Sequence, residues 1–179
     1  MIEISNNQLA VTISPIGAEV QSIKDVNTQC EYLWHGDAQW WSGHSPILFP
    51  IVGGLWNGTC RVDGQELHIS KHGFVRRAPW RVVCVEADKA VFEFVSTVGT
   101  FAIFPYAFRL TATYSLDDRK LRAEFCVENL GGSPFCFQLG GHPAIALPNW
   151  DDAQPLDGYL RLEGNPTHVL RAGEQGCLE

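Results

Sequence analysis

The sequence predicts an all-β protein, an antiparallel β-sandwich, and three observations support that reading. Apolar and polar residues alternate with a period of two, and sustained helical periodicity is hard to find. The apolar runs are short and rich in the β-branched and aromatic residues that pack well on a pleated surface. Turn chemistry separates them at the spacing expected of a sandwich or barrel.

Taken in order, Cys60-Arg61-Val62 and Leu67-His68-Ile69 flank Asp63-Gly64. That arrangement predicts a hairpin, because Gly accepts positive φ without penalty. Trp80 to Val85, Val91 to Val95 and Leu110 to Tyr114 read as strands. Leu121 to Val127 places Leu121, Ala123, Phe125 and Val127 on one face, with Arg122 and Glu124 on the other. Leu116 to Lys120 and Asn129 to Pro134 are turns. Ser45 to Trp56 breaks the pattern, being apolar yet holding two prolines and a Gly pair. Proline cannot donate to a central ladder, so this run is expected as an irregular buried path or an edge strand. Apolar loops of this kind often line a pocket.

The 179 residues fit one domain spanning 1–179, with 45% hydrophobic and 18% charged residues excluding intrinsic disorder. A formal net charge of -7 repels phosphate backbones and anionic membranes, so neither nucleic acid nor membrane is an expected partner. The six cysteines are scattered and form no Cys-x-x-Cys pair. Cys84 and Cys136 lie in apolar runs and are expected as small buried hydrophobes. No signal peptide is visible at the N-terminus and no run of 18 apolar residues occurs, which gives a cytoplasmic expectation with reduced thiols. Asn57-Gly58-Thr59 matches a glycosylation acceptor only by chance on that reading.

Among the six histidines, two stand in loops beside Gly or Pro: Lys71-His72-Gly73-Phe74 and Gly140-Gly141-His142-Pro143. A histidine flanked in this way is held with little crowding, as a ligand-facing imidazole needs. Read from the residues alone, the plainer account is that each caps a turn or meets solvent. His68 and His72 would stack on a helix, but the surrounding residues read as strand, where four residues span roughly 13 Å. Zinc–nitrogen bonds of about 2 Å cannot bridge that gap, so no metal is expected. Signatures of serine hydrolases, phosphate-binding loops and dinucleotide folds are absent. Glu19, Glu124, Asp151 and Asp152 are available carboxylates that nothing in the sequence singles out.

Several segments together resemble the aldose 1-epimerase (mutarotase) family, in its LacX-like branch. They are Gly17 to Ile23, Ser45 to Gly53, His72-Gly73-Phe74-Val75-Arg76, Pro105 to Leu110, Val127-Glu128-Asn129 and Leu139 to Ala144. The resemblance runs in the family's order from about Gly17 to Tyr159. It implies a large antiparallel sandwich that binds a free aldohexose in a shallow cleft and exchanges its α and β anomers without metal or organic cofactor. An acid protonates the ring oxygen while a base takes the anomeric hydroxyl proton, and imidazole suits the acid role near neutral pH. By the same resemblance His142 is the general acid and His72 binds the sugar and steadies developing charge. Phe74 walls the cleft and Arg76 contacts substrate, with Arg77 beside it. Two departures stand out. Gly54 occupies the position of a sugar-binding arginine, and nothing from Asp157 to Glu179 resembles the context of the family's base glutamate. The chain is therefore expected to be an N-terminal portion, incomplete at the C-terminal end of the sandwich, with a non-catalytic sugar-binding domain as the alternative. The sequence leaves the oligomeric state unknown.

Overall fold

The computed structural model describes residues 1–146 and, beyond them, 161, 163, 164, 166–168, 170, 171, 173, 176 and 177. The stretch from Asp157 to Glu179, where the base glutamate's context is not recognised, lies largely outside the described residues. Two antiparallel sheets dominate, as the alternation predicts. One holds β1 (Ile2–Ser5), β2 (Leu9–Ile13) and β3 (Val20–Asp25) in that spatial order. The second is built from β7 (Arg81–Val85), β8 (Lys89–Val95), β9 (Phe108–Asp117) and β10 (Lys120–Asn129), each pairing with the next. Two short pairs complete the fold: β4 (Ile47–Leu48) with β11 (Gly140–Gly141), and β5 (Thr59–Val62) with β6 (Gln65–His68).

Side chains of period two from both sheets fill the space between them. Ile4, Leu9, Val11 and Ile13 meet Ala90, Phe92, Phe94, Phe108, Leu110, Ala112 and Tyr114 in one core. Phe92 and Phe108 are fully enclosed, and burial of such a side chain contributes roughly 1.5–3 kcal/mol. Asp63 and Gly64 both take positive φ, 51° and 80°, giving the two-residue hairpin turn whose twist matches its strands. Asp118, at φ 52°, opens the turn between β9 and β10. That turn is tied to the first sheet, since Arg119 Nη2 lies 2.8 Å from the buried Asp25 carboxylate. Asp25 in turn accepts the Asn27 and Thr28 amides over 2.9 and 2.8 Å.

Two edges depart from the simple pattern. In β10, Leu121, Phe125 and Val127 pack against the core only in part and Ala123 is exposed. Among the described residues this strand is the edge of its sheet, and an edge covers one flank less completely than a centre. The cysteine expectation is corrected in the same terms. Cys136 is exposed and Cys84 half-buried, and all six thiols are free. β7 is the opposite edge, with Val82, Val83 and Val85 exposed, while Phe135 to Phe137 belong to no strand. Among the described residues no helix is long and apolar enough to cross a membrane.

Candidate functional site

The apolar Ser45 to Trp56 run is the strip on which the site is assembled. It is the irregular buried path its prolines imply: Ile47, Leu48, Phe49 and Pro50 are buried, and the Phe49–Pro50 peptide is cis. Along one side it pairs with the His142 segment. Gly140 and Gly141 lie opposite Leu48 and Ile47, and the His142 amide donates to the Pro46 carbonyl oxygen over 3.1 Å. Gln138 adds an amide bond to Pro50 and accepts the Val52 amide at its side-chain oxygen. Along the other side it meets the His72 segment. The Phe74 amide donates to the Phe49 carbonyl oxygen over 3.1 Å, and Gly73 bridges Phe49 in parallel register.

Gly73 explains why a glycine follows His72. At φ 71° a Cβ there would stand 1.9 Å from the Phe49 carbonyl oxygen, so only a hydrogen at that position lets the loop close on the strip. His72 itself takes φ 68°, a left-handed conformation uncommon for a side-chain-bearing residue and frequent at functional turns. Two segments 70 positions apart in the chain thus present their imidazoles together. The rings of His72 and His142 are edge to face with centroids 5.6 Å apart. Trp41 joins them, its ring 5.1 Å from that of His142. The indole N–H of Trp34 holds the Trp41 carbonyl oxygen over 2.7 Å and so anchors this aromatic segment.

The electrostatics favour a neutral His72. Burial is the first cause holding it below the ordinary imidazole value of 6.5, followed by the positive charges of Arg76, His142 and Lys71. The Gly53 amide donates to His72 Nδ1 over 3.1 Å, which puts the ring proton on Nε2. His72 therefore keeps Nε2–H as its ring donor. Arg76 donates from Nη2 to the Lys71 carbonyl oxygen over 3.1 Å, and its Nε is buried without a hydrogen-bond partner among the described residues. Burial, then Arg77, pull the Arg76 guanidinium down, and the Glu19 carboxylate pulls it back up.

The structure thus brings His72, His142 and Arg76 to one neighbourhood. Phe74 is directed into the core, where its ring meets Phe94 and Phe108 at 6.3 and 6.5 Å, and it lines a separate cavity of about 320 Å³ with Arg77, Pro79 and Ile103. Gly54 donates its amide to the Gly176 carbonyl oxygen over 2.6 Å. His68 stays on the solvent face of β6, 3.5 Å from Glu66. Trp41 and Glu19 were not legible as site residues. Trp41 lies in no recognised segment and Glu19 only within the Gly17 to Ile23 resemblance; long-range contacts bring Trp41 beside His142 and Glu19 to the His44 and Ser45 amides.

The fold is an antiparallel β-sandwich, and the two segments that flank its proline-bearing strip bring a pair of histidines together. The family model described as aldose 1-epimerase matches residues 1–171, and the chain belongs to that family. Protein LacX (plasmid) of Lactococcus lactis subsp. lactis is 34% identical over 153 residues, which cover 82% of this chain and 51% of LacX. The crystal structure of a galactose mutarotase related enzyme from Lactobacillus acidophilus matches with a TM-score of 0.81 at 34% identity, covering 86% of this chain and 51% of that one. A galactose mutarotase-like protein from Lactobacillus casei ATCC 334 gives 0.83 at 29% identity, covering 100% and 63%. The chain spans about half the length of the curated relatives it matches.

Proposed function

We propose that this chain carries the histidine half of an aldose 1-epimerase site, which binds a free aldohexose and supplies the acid side of anomer exchange. The observation that carries the reading is the meeting of His72 and His142 at 5.6 Å beside Trp41. His142, exposed at the mouth of the site, protonates the ring oxygen as the ring opens. His72 donates Nε2–H to a sugar oxygen and stays neutral, so it stabilises developing negative charge without exchanging its proton. Trp41 offers an apolar face to the sugar's C–H groups. Arg76 braces the His72 loop through Lys71 and contributes its outer guanidinium N–H groups to substrate hydroxyls. Phe74 supports the same loop from the core side.

Ring opening also needs a base for the anomeric hydroxyl proton. The family resemblance assigns that base to a glutamate beyond the Gly-Gly-His-Pro element, so the complete reaction draws on residues other than the histidine pair. A second reading, a sugar-binding domain without turnover, is favoured by Gly54. Its amide is bonded to Gly176 where the resemblance expects a sugar-binding arginine.

Anomeric exchange of galactose and glucose, followed by NMR on the purified chain against buffer and His142→Ala, tests both readings. Exchange above buffer that the substitution removes supports the enzyme. Saturation transfer from protein to sugar without exchange supports binding alone. A folded chain showing neither signal overturns the sugar-site assignment.

A further inference from the structure

Glu19 stands where the two histidine-bearing segments are joined, although neither histidine touches it in sequence or by hydrogen bond. Its Oε1 accepts two consecutive backbone amides, His44 over 2.8 Å and Ser45 over 2.9 Å. The same short stretch then grips the His142 loop on both sides of the imidazole. The Ala144 amide donates to the His44 carbonyl oxygen over 2.8 Å, and the His142 amide donates to the Pro46 carbonyl oxygen over 3.1 Å. One carboxylate oxygen therefore holds His44, whose carbonyl oxygen accepts the Ala144 amide, and Ser45, one residue before the Pro46 carbonyl oxygen that accepts the His142 amide.

The turn that carries Glu19 is also locked to the other histidine segment. The Gly17 amide donates to the Ala78 carbonyl oxygen over 2.8 Å. Gly17, at φ 72°, packs so closely on Arg76 that a Cβ would lie 2.5 Å from the Arg76 carbonyl oxygen. The turn is closed by the Ser14 amide on the Glu19 carbonyl oxygen, 2.8 Å, and pinned from the core by the Tyr114 hydroxyl donating to the Ala18 carbonyl oxygen over 2.7 Å. Arg76 in turn holds the Lys71 carbonyl oxygen at the base of the His72 turn. A rigid turn with one arm on each loop sets their separation.

We propose that Glu19 is a positioning residue for the histidine pair, holding the His142 loop in register with the His72 loop by accepting the His44 and Ser45 amides at one carboxylate oxygen. This assignment rests on the proposed function only in naming the pair a sugar site. Two bonds from half-buried amides to one carboxylate oxygen resist replacement by water, whereas a side chain without an oxygen at Oε1 leaves both donors without that acceptor.

The test compares Glu19→Ala with Glu19→Gln on the purified chain, because the glutamine keeps an acceptor oxygen and drops the charge. The readout needs no sugar. Proton NMR follows the cross-relaxation contact between the Trp41 and His142 rings and the His142 ring shifts, with amide signals of the β7–β10 sheet as the fold control. Loss of the ring contact in Glu19→Ala, its retention in Glu19→Gln, and unchanged sheet signals in both are expected. An unchanged ring contact in Glu19→Ala overturns the proposal. Equal loss in both variants overturns it as well, since charge rather than the acceptor would then matter. Loss of the sheet signals in Glu19→Ala also overturns it, by making Glu19 a general fold determinant. Saturation transfer to galactose on the same samples is expected to fall in Glu19→Ala and return in Glu19→Gln. A missing sugar signal in the unsubstituted chain, with the ring contact behaving as expected, counts against the sugar reading and leaves the positioning role standing.

Discussion

Gly53 and His72 bond to each other twice. The Gly53 amide donates to His72 Nδ1 over 3.1 Å, and the His72 amide donates to the Gly53 carbonyl oxygen over 2.8 Å. The pair fixes both the backbone position of the imidazole and its tautomer. A ring nitrogen that accepts a backbone N–H cannot itself carry the proton at neutral pH, so the proton sits on Nε2. The same bond weakens on protonation, which agrees with the depressed titration of this ring.

His72 is expected to titrate below 6.5, with burial the main cause and Arg76 next. A histidine whose folded value is depressed binds its proton more readily when unfolded. Its contribution to stability is therefore complete above about 6.5 and is lost as pH falls from there through the folded value. Arg76→Gln removes the leading charge and is expected to move the His72 midpoint upward, toward 6.5. Proton–nitrogen correlation spectra across pH report both the midpoint and the Nε2–H tautomer; an Nδ1–H form at neutral pH would contradict the assignment.

Gly73→Ala is expected to destabilise the chain by at least about 2 kcal/mol, combining left-handed strain with a backbone clash. A Cβ 1.9 Å from the Phe49 carbonyl oxygen cannot be relieved by a rotamer change, so the loop must lift from the strip. The check is a urea midpoint with the slope held constant, together with loss of the His72 to His142 ring contact.

Tyr114→Phe deletes the hydroxyl that the Ala18 carbonyl oxygen accepts over 2.7 Å in the core. A buried acceptor left unpaired costs roughly 1–3 kcal/mol, so a loss of that order in denaturant unfolding is expected. Full stability in this variant would show that another donor reaches Ala18.

Acid sensitivity is expected to run through Asp25. The Thr28 amide first, with the Asn27 amide and Arg119, hold this carboxyl at about 2 against the opposing effect of burial. A depressed carboxyl stabilises the fold above its unfolded value, about 3.9, and that stability disappears as pH falls through the interval down to about 2. Asp25→Asn retains an acceptor oxygen but not the titration, and should flatten the stability profile over that interval. Denaturant midpoints collected at a series of pH values provide the comparison.

Local chemistry made a good part of this molecule readable in advance. The Asp63-Gly64 hairpin follows from two residues that tolerate positive φ. The alternation in Leu110 to Tyr114 reappears within a longer strand, Phe108–Asp117, which takes in Leu116 from the expected turn and buries one face from Phe108 to Leu116, because side chains of period two have no other way to reach a common core. The prolines of the Ser45 to Trp56 run announced an irregular path, and Gly and Pro beside His72 and His142 marked them as turn-borne imidazoles. What tertiary structure decided is which of these features meet. Glu19 looked no different from Glu124, since its partners lie 25 and 26 residues away and are backbone amides that leave no sequence trace. Phe74 sits two residues beyond His72 yet turns inward to Phe94 and Phe108, because core packing and not proximity in sequence sets the direction of its ring. Cys136 lies between two phenylalanines and is still exposed, as an apolar run is buried only where another layer covers it. The alternation of residue types determined the strands and the turns. The apolar strip from Pro46 to Val52, pairing on both sides, decided that two histidines distant in sequence bring their rings within 5.6 Å of each other.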